Sequence, residues 1–222
     1  MIVYFLQGKN QMKVDSLICG AYETNCYVLR KDKTAKDCLV IDTGLNAGKL
    51  IEFLRANKLN PVAVVLTHGH IDHIAGLAQL REHYPDIKVY IHKLDAEMLA
   101  GDESNLSESA EGTFSTAPAD FLVDEGDIIE QAGIKLEVFH TPGHTQGGIC
   151  LYAKDEKTVF VGDTLFAGSV GRTDFPGGSM TGLVKSIKKK LLTLLQETVV
   201  YPGHGPQTTI EEEKANNPFL EQ

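Results

Sequence analysis

Short apolar runs separated by polar turns open the chain, a pattern that predicts consecutive antiparallel strands. Beyond residue 48 the apolar spacing changes, and Leu50, Phe53 and Leu54 recur at the interval of a helix over 49–57. Ile74, Leu77 and Leu80 predict a second helix over 71–83. The strands predicted for this half are residues 17–20, 26–30, 39–42 and 62–66. A β-rich start followed by β-α alternation favours mixed sheets covered by helices.

From Phe121 onwards the second half again shows short strands followed by helices. One long helix is predicted at 180–196, and Thr209, followed three residues later by Glu212, is typical of the cap of a last short helix. The strands predicted here are residues 127–129, 134–139, 149–152, 158–161 and 198–201. Two similar halves favour a sandwich of the α/β class, which some schemes call α+β.

The length of 222 residues, with 42% hydrophobic content, suits one well-buried core. We therefore expect a single domain over 12–222, with residues 1–11 as an N-terminal extension outside it. The stretch 101–118 is rich in Ser, Glu, Gly and Thr, which favours a lid or an inserted loop.

The net charge of the chain and the length of its apolar runs argue against nucleic acid and a membrane as partners. The formal net charge of -9 argues against nucleic acid, whose binding needs clustered Lys and Arg. The basic run 188–190 lies among apolar residues at helical spacing and indicates a solvated helix face. No run approaches the roughly 20 apolar residues that span a bilayer. Four cysteines without CxxC spacing and a start unlike a secretory signal favour the cytoplasm and reduced thiols.

The strongest motif follows the predicted strand 62–66, where the chain continues Thr-His-Gly-His-Ile-Asp-His. His68, His70, Asp72 and His73 thus fall within six residues. Imidazole and carboxylate groups are the ligands that borderline divalent cations such as Zn²⁺ prefer, and a strand-to-helix turn can aim closely spaced side chains at one point. The first two histidines and the last two ligands point in different directions, which suits two ions. Polar surface histidines are the ordinary alternative, but they have no evident reason to cluster at a strand end.

Three further polar residues follow predicted strands and adjoin Gly or Pro. They are His144 in TPGHT, Asp163 in GDT and His204 in YPGHG. Tight turns of this kind hold a side chain at a fixed angle and let the backbone approach it closely. Alone, a polar residue in such a turn is more often a hydrogen-bonded turn residue than a ligand, but together the three supply ligands that the first motif lacks.

The motifs THGHIDH, TPGHT, GDT and YPGHG, in this order, resemble the metallo-β-lactamase superfamily and especially its glyoxalase II-like hydrolases, over about residues 14–219. This resemblance implies an αβ/βα four-layer sandwich with the ions at one edge of the two sheets. It also implies that His68, His70 and His144 hold one ion, that Asp72, His73 and His204 hold the other, and that Asp163 bridges them. Asp42 resembles an aspartate that orients a liganding imidazole through its other nitrogen, although an Asx turn explains it equally well.

The chemistry that this resemblance implies is hydrolysis by two divalent ions. We expect Zn²⁺, with Fe²⁺ or Mn²⁺ as alternatives, because these ligands accept all three. A hydroxide that bridges the ions attacks the substrate carbonyl, and Asp72 accepts a hydrogen bond that orients it. The expected substrate is a small-molecule thioester such as a hydroxyacylglutathione. No G-x-S-x-G nucleophile competes with this mechanism.

Substrate choice has weaker signals. Arg172 in GRTDFPGG offers a planar fork of donors for a substrate carboxylate, but an Arg close to an Asp is as often a surface ion pair. Only 17 residues follow Gly205, where glyoxalase II carries a helical segment that binds glutathione. The remaining histidines, His83, His92 and His140, lie outside the motifs, and we interpret them as structural.

Two other functions from different classes stay open. Persulfide dioxygenases are similar in sequence and share a GRTDF stretch, but they use one iron; the presence of His204 with Asp72 and His73 favours two ions and hydrolysis. A non-catalytic zinc-binding protein is the third alternative, although structural zinc sites are usually closed and cysteine-rich. β-Lactamases are usually exported, and the start of this chain does not resemble an export signal. The sequence leaves the oligomeric state and the physiological substrate open.

Overall fold

Two six-stranded sheets form the centre of the protein in a computed structural model that describes residues 11–101, 105–106 and 114–221. The two sheets hold twelve strands, and a small separate hairpin brings the number among the described residues to fourteen. The strands are β1 (Lys13–Cys19), β2 (Thr24–Arg30), β3 (Asp37–Ile41), β4 (Asn60–Val65), β5 (Lys88–His92), β6 (Phe121–Val123), β7 (Ile128–Gln131), β8 (Ile134–His140), β9 (Ile149–Ala153), β10 (Thr158–Gly162), β11 (Leu165–Phe166), β12 (Ser169–Val170), β13 (Val199–Pro202) and β14 (Thr208–Thr209).

The helices pack on the outer faces of these sheets. They are α1 (Gly48–Ala56), α2 (Ile71–Ile74), α3 (Leu77–His83), α4 (Met180–Ser186) and α5 (Ile210–Asn216). A π-helical turn over Ile187–Leu191 continues α4. Short 3₁₀ turns occupy Ala96–Ala100 and Lys154–Glu156. Within the described part of the chain, no helix is long and apolar enough to cross a membrane.

The first sheet has the order β1-β2-β3-β4-β5-β6 and the second has the order β14-β13-β10-β9-β8-β7. β1, β2 and β3 pair antiparallel, whereas β3 to β6 pair parallel. In the second sheet β7 to β10 pair antiparallel, and β10 pairs parallel with β13. Several strands of both sheets therefore end at a common edge.

Three apolar clusters show the order of the layers. One packs Leu50 and Leu54 of α1 and Leu80 of α3 against the outer face of the first sheet. A second, which includes Phe160, lies between the two sheets. A third packs Leu183 of α4 against the outer face of the second sheet. The architecture is thus helix, sheet, sheet, helix, which confirms the predicted four-layer αβ/βα sandwich.

The predicted helix over 71–83 is wrong as one element. It is two helices, because the backbone N–H of Gly76 donates to the carbonyl of Gly44 at 2.9 Å. A Cβ atom on Gly76 would lie 2.5 Å from the carbonyl oxygen of Thr43, so the close approach requires glycine.

The predicted helix 180–196 is shorter than expected: it begins with α4 and its π-helical turn ends at Leu191. The cap predicted at Thr209 is confirmed, since its Oγ1 accepts from the N–H of Glu212 at 3.2 Å. His92 is the last residue of β5. Residues 1–10 of the predicted extension, and 102–104 and 107–113 of the predicted lid, lie outside the described residues.

Candidate metal centre

The motif residues meet where strands of the two sheets end. β4 ends at Val65, and the loop after it carries His68 and His70 into α2. On the second sheet, His144 follows β8, Asp163 follows β10 and His204 follows β13. All seven predicted ligands therefore reach one edge of the sandwich, although they span 137 positions from 68 to 204.

His68, His70 and His144 form the first group, in which one ligand atom from each lies within 4.8 Å of the others. Nδ1 of His70 lies 2.8 Å from Nε2 of His144. The Nδ1–H of His144 donates to the carbonyl of Arg172 at 2.7 Å, so the Nε2 lone pair faces the group. All three rings are buried.

Asp72, His73 and His204 form the second group, within the same distance limit. Nε2 of His204 lies 3.0 Å from Oδ2 of Asp72, and Nε2 of His73 lies 3.5 Å from the same oxygen. The hydroxyl of Thr24, at the start of β2, donates to this carboxylate at 3.2 Å.

Asp163 lies between the two groups. Its Oδ1 is 3.4 Å from Nε2 of His73, and its Oδ2 is 3.6 Å from Nε2 of both His144 and His204. A Cβ atom on Gly203 would lie 2.2 Å from Oδ1 of Asp163, so glycine in the YPGHG turn lets the backbone approach this carboxylate. The geometry suits a carboxylate that faces two ions.

Unpaired buried atoms test whether the residues fit metal ions. Five buried side-chain N or O atoms of the described residues have no hydrogen-bond partner, and three of them belong to this centre. These three are Nε2 of His68, Nε2 of His73 and Oδ1 of Asp163. A buried polar atom without a partner is costly, and a coordinated cation would remove that cost. Together with the imidazole and carboxylate chemistry of the set, this fits divalent transition metals.

The protonation of the site differs between the two groups. Burial lowers the pKa of His70 to about 3 and that of His68 well below its usual value, so both rings are neutral and offer lone pairs. Burial alone would lower the pKa of His73, but three carboxylates, led by Asp72, raise it well above the usual value. Burial works to raise the pKa of Asp72, but the charge of His73, the hydrogen bond and charge of His204 and the charge of His70 together lower it and keep the carboxyl ionised.

Asp42, directly after β3, accepts hydrogen bonds from residues in and next to the ligand groups. Its Oδ2 accepts from Nδ1 of His73 and from the hydroxyl of Thr67, and its Oδ1 accepts from the backbone N–H of Thr67, each at 2.8 Å. The side chain is buried, and the backbone adopts a φ of 56°, which non-glycine residues adopt rarely. These are the contacts that the predicted orienting role requires, and the role itself stays a prediction.

A cavity of about 560 Å³ opens over the two groups. Besides motif residues it is lined by Tyr22, Ile71, Leu106, Phe166, Arg172 and Phe175. The lining is thus largely apolar, and Leu106 comes from the stretch predicted as a lid. No pattern along the chain indicates the aromatic residues of this wall, because isolated aromatic side chains are usually part of a core.

The structure places Arg172 both at the cavity and in an ion pair, and its role in substrate binding stays a prediction. It lines the cavity, yet its guanidinium forms a two-bonded ion pair with Asp174, at 3.0 and 2.8 Å, and both side chains are about two-thirds exposed. The guanidinium also lies 4.4 Å from the centre of the Phe175 ring. An exposed pair of this kind is weak, so the guanidinium is available to another anion.

The three histidines outside the motifs lie away from these groups. His83 is on exposed helix surface, where its Nδ1 contacts the carbonyl of Gln79. His92 and His140 stack at 4.1 Å with 15° between their planes, and Asp124 lies beside them. Imidazole lone pairs lie in the ring plane, so two nearly parallel rings do not aim at a common ion. This arrangement agrees with a structural role.

A model of the metallo-beta-lactamase superfamily matches residues 19–204, which is most of the chain. The chain therefore belongs to this superfamily of metallo-hydrolases, and its sandwich is the fold of that family. "Probable metallo-hydrolase YqgX" of Bacillus subtilis is 40% identical over 210 residues, which cover 94% of this chain and 98% of the relative. "Hydroxyacylglutathione hydrolase GloC" of Haemophilus influenzae is 36% identical over 215 residues, with coverages of 94% and 98%.

Solved structures show the same fold. The structure of the BLEG-1 B3 metallo-beta-lactamase superposes with a TM-score of 0.90 at 37% identity, and the match covers 95% of this chain and all of that one, 100%. The structure of TTHA1623 in a di-iron-bound form gives a TM-score of 0.82 at 36% identity, with coverages of 93% and 100%. These neighbours support divalent metals at the His/Asp cluster and leave the identity of the metal open.

Proposed function

We propose that this protein is a two-metal thioesterase that hydrolyses a hydroxyacylglutathione or a similar small anionic thioester. The observation that carries the proposal is the position of Asp163 between two three-residue ligand groups beneath an open cavity. A closed structural zinc site has neither the cavity nor the second ligand group. The similarity to a hydrolase named for hydroxyacylglutathione supports the substrate class.

In this proposal His68, His70 and His144 hold one ion, Asp72, His73 and His204 hold the second, and Asp163 contacts both. Zn²⁺ suits this donor set, and Fe²⁺ or Mn²⁺ are the alternatives. Bound divalent cations supply Lewis acidity and bring the pKa of water down towards neutrality, which a thioester hydrolase without a Ser or Cys nucleophile needs.

Asp72 is the residue that we assign to orienting the attacking water. Its pKa is held low, so the carboxylate is ionised at neutral pH and can accept a hydrogen bond from the attacking water. The Thr24 hydroxyl and His204 fix the direction of that carboxylate. An Asp72→Ala variant with full metal content and full rate would disprove this role.

The cavity wall suits the leaving group of such a substrate. Among the described residues that line it, Arg172 alone carries a permanent positive charge, and glutathione has two carboxylates. Tyr22 and Phe175 offer apolar surface for the rest of the substrate, and Tyr22 is 47% exposed at the mouth of the cavity. Arg172 is therefore our candidate for the substrate carboxylate.

Metal analysis combined with three assays tests the proposal. Purified protein is stripped with a chelator, reloaded with Zn²⁺, Mn²⁺ or Fe²⁺, and assayed with S-lactoylglutathione, with a chromogenic β-lactam, and for O₂ uptake with glutathione persulfide. We expect two metal equivalents and hydrolysis of the thioester well above that of the β-lactam. One iron equivalent with O₂ uptake would overturn the proposal in favour of a dioxygenase, and β-lactam hydrolysis alone would favour a lactamase. Two equivalents with none of the three activities would overturn the thioesterase as well.

A further inference from the structure

Asp95 is a buried carboxylate that belongs to neither ligand group and to none of the sequence motifs. It lies three residues after the end of β5 and is 1% exposed. A charged side chain is rarely buried so fully unless it is hydrogen-bonded, so its partners define what it does.

Its partners come from the two loops that carry the first ligand group. The backbone N–H of Gly69, between His68 and His70, donates to Oδ2 at 3.1 Å. The hydroxyl of Thr145, next to His144, donates to the same oxygen at 2.7 Å. The N–H of Gly147 donates to Oδ1 at 2.6 Å. One carboxylate thus joins two loops that are far apart in sequence.

The surroundings leave little room for these loops to move relative to Asp95. A Cβ atom on Gly147 would lie 2.5 Å from Oδ1 of Asp95, and one on Gly69 would lie 2.6 Å from Cβ of Met98, in the 3₁₀ turn that follows Asp95. Both glycines are therefore packed directly against the segment that contains Asp95. Close-packed interiors of this kind transmit small displacements to their neighbours.

We propose that Asp95 is a positioning residue that fixes the separation of His70 and His144, and so sets the geometry of the ion site made by His68, His70 and His144. The proposal rests on the proposed metal centre. The described contacts of Asp95 include no part of Asp72, His73 or His204, so its effect falls mainly on one of the two ion sites.

Replacement by asparagine weakens this link with little change of shape. An amide has one accepting oxygen, and its NH₂ group can donate to the Thr145 hydroxyl but not to a backbone N–H. In either orientation of the amide, the N–H of Gly69 or that of Gly147 loses its acceptor. Loss of the Gly69 contact separates the two loops, whereas loss of the Gly147 contact leaves the loop after His144 with one of its two contacts to residue 95. The volume of the side chain is nearly unchanged in either case.

Glu213 provides a matched control. It is also 1% exposed and also accepts three hydrogen bonds, from the hydroxyl of Thr208, the N–H of Gly168 and the amide of Asn217. None of these partners lies in the loops of the first ligand group. Glu213→Gln therefore measures how far the loss of a buried carboxylate lowers the stability of the fold when these loops are unchanged.

The experiment is a competitive titration of metal-free Asp95→Asn, Glu213→Gln and wild-type protein with Zn²⁺, together with Co²⁺ absorption spectra and thermal unfolding of the metal-free proteins. We expect Asp95→Asn to weaken one of the two binding steps by about 10–100-fold and to alter the Co²⁺ spectrum of that site, as loss of an orienting contact typically does. The other step should change by less than about threefold. Glu213→Gln should leave both steps and the spectrum as in wild type while lowering the Tm.

The proposal would be overturned if Asp95→Asn bound both ions with wild-type affinity and gave the wild-type Co²⁺ spectrum. It would also be overturned if Asp95→Asn and Glu213→Gln weakened both binding steps equally. If Asp95→Asn does not fold, Thr145→Val is tested instead, because it removes one of the three donors and keeps the carboxylate. Thr145→Val should weaken the same single binding step. Wild-type affinity in both binding steps of this variant would overturn the proposal. Wild-type protein that binds no ion would instead disprove the proposed metal centre.

Discussion

The imidazole of His73 donates its Nδ1–H to Oδ2 of Asp42 over 2.8 Å, and both side chains are buried. This contact fixes the ring so that its Nε2 faces Asp72 and Asp163. Asp42 directly follows β3 and His73 lies in α2, so the hydrogen bond joins two separate elements behind the candidate metal centre.

Replacement of Asp42 by asparagine should therefore weaken metal binding. An amide oxygen can still accept from His73, but it is uncharged and its NH₂ group then faces the N–H of Thr67. We expect about 10–100-fold weaker affinity for the ion held by Asp72, His73 and His204. Competitive Zn²⁺ titration measures this, and wild-type affinity for both ions would show that Asp42 does not orient His73.

Replacement of Gly203 by alanine should displace Asp163. The new methyl group would lie 2.2 Å from Oδ1 of Asp163 and 2.7 Å from Cε1 of His73. We expect a loss of about 1–3 kcal/mol in the free energy of unfolding and less than one tightly bound metal equivalent. Gly182→Ala is the control, because its methyl group would lie 3.2 Å from the side chain of Ser179 and 3.7 Å from the carbonyl oxygen of Pro142, without a severe clash. Normal metal content in Gly203→Ala would contradict the close fit.

Replacement of Arg172 by alanine should raise KM for a glutathione thioester about 10-fold with a smaller effect on kcat, because it removes a charge-assisted contact to the substrate. The backbone carbonyl that accepts from His144 remains, so metal content should not change. Asp174→Ala releases the guanidinium and should lower KM or leave it unchanged. Steady-state kinetics of both variants check this, and an unchanged KM in Arg172→Ala would leave the residue as a surface ion pair.

The Cys38 thiol should make the free energy of unfolding fall as the pH rises above about 9. Burial raises its pKa from 9.0 to about 12. Below pH 9 both the folded and the unfolded chain keep the proton, whereas between pH 9 and 12 only the unfolded chain loses it, so stability falls as pH rises. The slope is about 1.4 kcal/mol per pH unit for one such group.

Denaturant unfolding of wild type and Cys38→Ala between pH 8 and about 10.5 isolates this effect. The free energy of unfolding should fall more steeply with pH in wild type than in the variant, even though the variant is less stable at pH 8 because it lacks buried volume. Parallel curves for the two proteins would show that Cys38 keeps an ordinary pKa.

Much of the fold followed from local patterns, and the resemblance of the motifs to a known family indicated the candidate ligand set. The turns at residues 67–73, 144, 163 and 204 each follow a strand, and the sequence places strands well when apolar runs are short and bounded by Gly or Pro. The break at Gly76 was missed because it depends on a hydrogen bond to Gly44, which no local pattern contains.

Asp95 could not be predicted for a related reason. Its partners Gly69, Thr145 and Gly147 are 26, 50 and 52 residues away along the chain. An aspartate before a short helical turn ordinarily predicts a cap, and here the side chain makes no cap contact. The aromatic wall of the cavity is likewise produced by tertiary packing, so no spacing along the chain indicates it.

The ligands of the centre are divided between the two sheets: residues 68–73 follow β4 of the first sheet, whereas Asp163 and His204 follow β10 and β13 of the second. Neither half of the chain can assemble the complete donor set alone. A cation bound by both halves opposes their separation, so metal uptake and the docking of the sheets are thermodynamically linked. We expect the colour of bound Co²⁺ to appear during refolding only once the halves have joined, which would make it an optical reporter of that late step.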